Sequence, residues 1–124
     1  MPPKIRVLIA DDHRLFAEAL EAILASEPGI EVVGRARNGE EAVDQALALE
    51  PDVILMDIAM PGVDGVEATK LIREKHRSAC ILILTGSNSR TDVARARNAG
   101  AAAYVTKDRI AAQLVDAIRE LAAA

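Results

Sequence analysis

Aromatic side chains are nearly absent from this sequence, which has no tryptophan, one tyrosine (Tyr104) and one phenylalanine (Phe16) in 124 residues. A surface that stacks nucleobases needs several such rings, so that mode of nucleic-acid binding is disfavoured. Excess positive charge is also missing. The formal net charge is -4, which gives no electrostatic reason to bind DNA or RNA. One cysteine, Cys80, cannot close an internal disulfide, in keeping with a reducing compartment, and reads as a small buried apolar residue. No apolar run approaches the ~20 residues that span a bilayer. The opening Met1-Pro2-Pro3-Lys4 lacks the apolar stretch of a signal peptide. Gly39, Gly62 and Gly65 form neither a dinucleotide fingerprint nor a P-loop, so nucleotide binding has no motif behind it. These absences leave a cytoplasmic globular domain as the expectation.

What is present is a repeated alternation. Five apolar runs, Ile5–Ala10, Ile30–Gly34, Asp52–Met56, Cys80–Leu84 and Ala102–Val105, alternate with segments of helical period. The third and fourth runs are apolar at nearly every position, as strands in the middle of a parallel sheet are, while the second is more polar and suits an edge. Leu15, Phe16, Ala19, Leu20, Ile23 and Leu24 form one helical stripe. Ala42, Val43, Ala46, Leu47 and Leu49 form another, and Ile110, Leu114, Ile118 and Leu121 a last. The segment near Arg90 to Asn98 is the weakest helix, with only Val93, Ala94 and Ala96 apolar. Asn38 with Glu41 and Asp64 with Glu67 have capping-box spacing, and Ser89 and Asp108 are expected N-caps. Pro28-Gly29, Pro51 and Gly100 stand where helices should stop. The pattern predicts a (βα)5 chain with right-handed crossovers and helices on both faces of a parallel sheet.

In such a sheet, ligands bind beyond the carboxyl ends of the strands. There the sequence places Asp11-Asp12 after the first strand, Asp57 after the third, Thr85 after the fourth and Lys107 after the fifth. Three close carboxylates repel one another, and a divalent cation relieves that repulsion. Oxygen-only donors without a cysteine–histidine cluster point to Mg2+. A carboxylate beside Mg2+ and a lysine can attack phosphorus and form an acyl phosphate. Lys107 would then hold phosphoryl oxygens as a point charge, and Thr85 could donate a hydrogen bond to one.

This constellation resembles the receiver domain of two-component response regulators, the CheY-like branch of the flavodoxin-like fold. The intervals from Asp12 to Asp57, Asp57 to Thr85 and Thr85 to Lys107 are 45, 28 and 22 residues. Asp57-Ile58-Ala59-Met60-Pro61-Gly62-Val63-Asp64-Gly65 is similar to the family's phosphorylation loop, in which Met60-Pro61 shapes the turn and Gly65 is the small residue opening the next helix. The resemblance covers essentially the whole chain. It implies a three-layer sandwich with strand order 2-1-3-4-5 and phosphorylation at Asp57 by a histidine kinase. It also implies Mg2+ held by Asp11, Asp12, Asp57 and the backbone carbonyl of Ala59, with Thr85, Lys107 and Tyr104 as catalytic and switch residues. Apart from its own phosphorylation and dephosphorylation, such a domain is no enzyme.

Arg6–His13 and Tyr104–Asp108 look like the NarL/FixJ (LuxR-type) branch, although Lys107-Asp108 stands where most receivers carry Lys-Pro. That branch adds a C-terminal helix-turn-helix, so residues 1–124 are expected to be a receiver without its output domain. A stand-alone regulator or phosphorelay intermediate is the alternative. The implied partners are a sensor kinase and, on phosphorylation, a second copy of the chain. No nucleic acid or membrane is expected to bind this domain itself. A haloacid-dehalogenase-type phosphatase would need an acid two residues after the nucleophile, where Ala59 cannot move a proton. A flavin module would find Asp11-Asp12 repelling its phosphate. His13 reads as an exposed first-turn residue rather than a metal ligand beside Asp12, His76 as a solvated helix end, and Arg90, Arg95 and Arg97 as a solvated helix face rather than a partner surface.

Overall fold

The computed structural model describes residues 3–86 and 90–123. Its elements alternate without exception: β1 (Ile5–Ala10), α1 (Arg14–Ala25), β2 (Ile30–Ala36), α2 (Gly39–Leu49), β3 (Val53–Asp57), α3 (Gly65–Lys75), β4 (Ile81–Thr85), α4 (Arg90–Ala99), β5 (Ala103–Thr106) and α5 (Ile110–Ala123). All strand pairs are parallel, in the order β2-β1-β3-β4-β5. The flavodoxin-like three-layer architecture is therefore the one expected.

Strand alternation sends side chains into two cores. Val7, Ile9, Val53, Leu55, Leu82 and Leu84 meet Ala17, Leu20 and Leu24 of α1 and Ile110, Leu114 and Ile118 of α5. Leu8, Ala10, Ile54, Met56, Ile81 and Ile83 meet Ala42 and Ala46 of α2, Ala68 and Ile72 of α3, and Ala96 of α4. Every residue of β3 and β4 is buried, which is why neither shows a polar alternation. The three helices of the second face meet the sheet largely through small residues, Ala42, Ala46, Ala68 and Ala96.

Four expectations need correction. β2 continues two residues past Gly34, where Arg35 and Ala36 pair with Ile9 and Ala10, and an irregularity between Val7 and Leu8 shifts the register by one residue. The stripe on α1 is rotated. Ala17, Leu20 and Leu24 are buried, whereas Ala19 is exposed and Leu15 is 80% exposed. Two residues turn a helix by about 200°, so Leu15 and Ala19 lie opposite Ala17. Asp108 is not an N-cap, because a 3-10 turn at Lys107–Arg109 follows β5 directly and leads into α5. Cys80 is only half-buried, with partial desolvation pushing its thiol pKa upward. The expected cap at Ser89 lies outside the described residues.

The other caps form as the spacing predicts. Glu41 N–H donates to Asn38 Oδ1 at 2.9 Å, and Glu67 N–H donates to Asp64 Oδ1 at 2.8 Å. The second cap fixes where α3 begins, and hence the length of the loop after Asp57. Gly65 completes that arrangement. A Cβ there would lie 2.1 Å from the Asp57 carbonyl oxygen, so only glycine lets α3 start so close to the strand end.

Candidate functional site at the carboxyl rim

The rim gathers the residues that the sequence pointed to. Asp11 N–H donates to Ala36 O at 3.0 Å, which ties the end of β1 to its edge neighbour. The Asp11 carboxylate turns inward, with Oδ1 accepting from His13 N–H at 2.8 Å. Asp57 closes β3, where Ala59 N–H donates to its Oδ1 at 3.3 Å. Ile58 N–H donates to Leu84 O and Gly65 N–H to Ile58 O, which anchors the loop on both sides of the acid.

Asp11 and Asp57 are 2% and 3% exposed, so both acids are almost wholly removed from water. Lys107 faces them from the turn after β5, with Nζ 3.4 Å from Asp57 Oδ1 and 3.7 Å from Asp11 Oδ2. Its ammonium also lies 4.5 Å from the centroid of the Phe16 ring. The sequence assigned Phe16 only to an apolar stripe. Here it forms a floor under Lys107 that favours the cation and limits where its long side chain can go. The distance in sequence between the two residues hid that contact.

One ammonium does not balance three carboxylates. Burial pushes the Asp57 pKa up, the neighbouring Asp11 charge pushes it further, and Lys107 and the Ala59 N–H pull it partly back, leaving it at about 6. Asp11 Oδ2, buried and 3.7 Å from Lys107, receives no hydrogen bond among the described residues. One donor atom each from Asp11, Asp12, His13 and Asp57 all lie within 4.8 Å of one another. An acid surplus, an acceptor without a donor and hard oxygen ligands suit a small divalent cation. His13 is spatially part of the group, but its ring is largely exposed and is a softer ligand than the carboxylates.

Thr85 ends β4 at 2% exposure, in register with Thr106 of β5. Tyr104, two residues earlier on β5, is 38% exposed and lines a groove with Arg90, Val93 and Arg97 of α4. It is thus not part of the acid cluster. Ala59 lines a cavity of about 560 Å³ beside Asp12, together with Met60, Pro61, Asp64, Asp92 and Arg95.

The family profile described as a response regulator receiver domain matches residues 7–119. The chain belongs to the response regulator receiver family. Members are phosphoacceptor domains rather than enzymes acting on separate substrates. The receiver is similar to the transcriptional regulatory protein LiaR of Bacillus subtilis (strain 168), at 45% identity over 93% of this chain and 54% of LiaR. It is 38% identical to the nitrate/nitrite response regulator NarL of Escherichia coli (strain K12), over 94% of this chain and 54% of NarL. The chain thus spans about half the length of these curated relatives. Among solved structures, the signal receiver domain of the putative response regulator NarL from Mycobacterium tuberculosis superposes with a TM-score of 0.94 at 33% identity, covering 98% of each chain. The LuxR/NarL-type likeness drawn from Arg6–His13 and Tyr104–Asp108 agrees with these relatives.

Among the described residues, no helix is long and apolar enough to cross a membrane.

Proposed function

We propose that Asp57 is the phosphoacceptor of this receiver, that a sensor histidine kinase is its donor, and that Mg2+ is required. The observation that carries the reading is the buried Asp57 carboxylate, 3.4 Å from Lys107 and beside an Asp11 oxygen that no hydrogen bond satisfies among the described residues. Asp11, Asp12, Asp57 and the Ala59 carbonyl would hold the ion, which when bound supplies positive charge to the acid cluster and to phosphoryl oxygens.

The chain's own residues do the rest. An Asp57 carboxylate oxygen attacks phosphorus of the donor's phosphohistidine. An O–P bond forms as the N–P bond breaks, and the imidazole leaves with the electron pair. Lys107 exchanges its pairing with the Asp57 oxygen for one with a phosphoryl oxygen, so its charge is never stranded. The Thr85 hydroxyl donates to a second phosphoryl oxygen. Hydrolysis of the aspartyl phosphate by water resets the domain, and these two reactions on itself are its whole catalysis.

The output is carried by shape. Moving the Thr85 hydroxyl toward the phosphoryl group vacates room behind β4, and Tyr104, outward here, rotates inward to fill it. That reshapes the face made by α4, β5 and α5. Residues 1–124 act as the receiver unit of a cytoplasmic transcriptional regulator whose helix-turn-helix lies in another segment, and a phosphorylation-dependent homodimer is the form that such an output uses. The domain alone binds no DNA sequence selectively.

The direct test is intact mass after incubation with acetyl phosphate, with and without Mg2+. One phosphate should appear only with the metal, and Asp57→Asn should abolish it. Phosphate mapped to Asp11, Asp12 or a hydroxyl would refute the assignment.

A further inference from the structure

Arg95 does not stand on an idle solvated face, as the sequence suggested. It lines the cavity beside Asp12 and Ala59, reaching Asp64 Oδ2 with Nη2 at 3.6 Å and Asp92 Oδ1 with Nη1 at 3.7 Å. Asp64 begins α3 and Asp92 lies in the first turn of α4, so the guanidinium spans the opening between the two helices. Among the described residues, Arg95 is the one cation lining this cavity, which also presents Asp12, Asp64 and Asp92. Lys107, the other cation of the site, is not among the residues that line it.

This arrangement presents an electrostatic problem for the proposed reaction. The incoming phosphoryl donor is an anion, and three carboxylates around the opening would repel it. Arg95 offsets part of that repulsion on the side of the rim where Asp12 and the residues that follow Asp57, Ile58 and Ala59, line the same cavity. It is also free to exchange partners. The side chain is 52% exposed and both ion pairs are partly solvated, and such pairs contribute only about 0–1 kcal/mol. A phosphoryl dianion can compete for a guanidinium held that weakly, and the forked donor geometry of arginine matches phosphoryl oxygens.

We propose that Arg95 is a specificity-determining residue that draws anionic phosphodonors into the Asp57 site, exchanging its solvated pairings with Asp64 and Asp92 for the donor's phosphoryl oxygens. The proposal rests on Asp57 being the phosphoacceptor. With acetyl phosphate, the Asp57 oxygen bonds to phosphorus, the phosphorus–oxygen bond to the acetyl group breaks, and acetate leaves with the electron pair. Arg95 acts on donor entry and does not take part in the bond exchange.

The test is the rate of Asp57 phosphorylation, followed by intact mass at Mg2+ concentrations that saturate each variant. Arg95→Gln should lower kcat/KM for acetyl phosphate about five- to tenfold at low ionic strength, the scale of one surface charge acting on a dianion through water. The loss should appear mainly in KM, shrink toward unity at 0.5 M salt and be smaller for the monoanionic donor phosphoramidate. Arg95→Lys should restore most of the rate. Asp64→Asn separates charge capture from a structural strap, because asparagine caps α3 equally well but releases Arg95 and removes a repelling charge. Under capture, Asp64→Asn speeds the reaction. A slower Asp64→Asn, or an Arg95→Gln loss that is independent of salt and donor charge, would overturn the proposal. Wild-type protein that gains no phosphate at Asp57 would instead overturn the phosphoacceptor reading beneath it.

Discussion

Replacing Asp57 with asparagine should stabilise the metal-free protein, although it removes the residue that the site is built around. The side chains have nearly the same shape, so the substitution chiefly deletes one buried charge. In the native state the Asp57 pKa rises from 3.8 to about 6, mainly through burial and then through Asp11. The folded protein therefore binds more protons than the unfolded chain between those values, and its stability falls as pH rises through that window. The penalty is absent below about pH 4 and complete above about pH 7. That rise corresponds to about 3 kcal/mol. Losing the Lys107–Asp57 pairing offsets part of the gain, though Lys107 keeps Asp11 at 3.7 Å. A net gain of about 1–2 kcal/mol at pH 7 should raise the melting temperature by roughly 4–8 °C in a domain of this size. The assay is thermal or urea unfolding of both proteins in EDTA from pH 4 to pH 8, followed by repetition with Mg2+. The difference should vanish toward pH 4, and Mg2+ should narrow it at pH 7 by stabilising the wild type more. An Asp57→Asn protein no more stable than wild type at pH 7, or a gain that persists undiminished at pH 4, would refute the buried-charge account.

Lys107→Ala should destabilise the metal-free protein by about 1–2 kcal/mol at pH 7, because Asp11 and Asp57 lose their shared cation. Denaturant titrations should show that cost shrinking below about pH 6 as Asp57 protonates, and phosphorylation by acetyl phosphate should slow. Gly65→Ala should cost about 2–3 kcal/mol by driving a Cβ into the Asp57 carbonyl; a smaller loss in melting experiments would mean that the loop yields easily. Leu15→Ala should change stability by less than about 0.5 kcal/mol, whereas Leu20→Ala, at a fully buried position of the same helix, should cost about 2–5 kcal/mol. Thr85→Ala should still accept phosphate but lose the NMR shifts that beryllofluoride and Mg2+ propagate to Tyr104 in the wild type. Persistence of those shifts would place the coupling elsewhere.

The parts of this molecule that were legible in sequence are those decided by local chemistry. β3 and β4 declare themselves because a strand buried on both faces has no polar alternation. Asn38 and Asp64 declare two helix starts because an oxygen three residues before an N–H can reach it. The acids at strand ends were legible for a related reason: an unbroken apolar strand delivers its next residue to the rim, whatever else the fold does. Recognising Asp11, Asp57, Thr85 and Lys107 as neighbours therefore required only that the strands be parallel and adjacent.

What stayed hidden depends on how one element sits against another. The phase of α1 is an example, because Leu15 and Ala17 both belong to apolar patterns and only docking against the sheet selects Ala17. Phe16 beneath Lys107 joins two residues at opposite ends of the chain that share no local signal. Arg95 is the strongest case. The periodicity of α4 marks it as outward-facing, which is correct, but outward from α4 is also across the gap to α3. Where a weakly amphipathic helix with one buried alanine lies beside the site, its polar face becomes a wall of the entrance. The same arginine would be a bland solvated cation on a helix whose outer side met only water. Its chemical meaning comes from Asp64, which reaches it because that residue caps the helix that Gly65 brings close to Asp57. The cap, the glycine and the entrance charge thus depend on one short loop, and substitutions in Asp57–Gly65 should disturb donor selectivity and stability together.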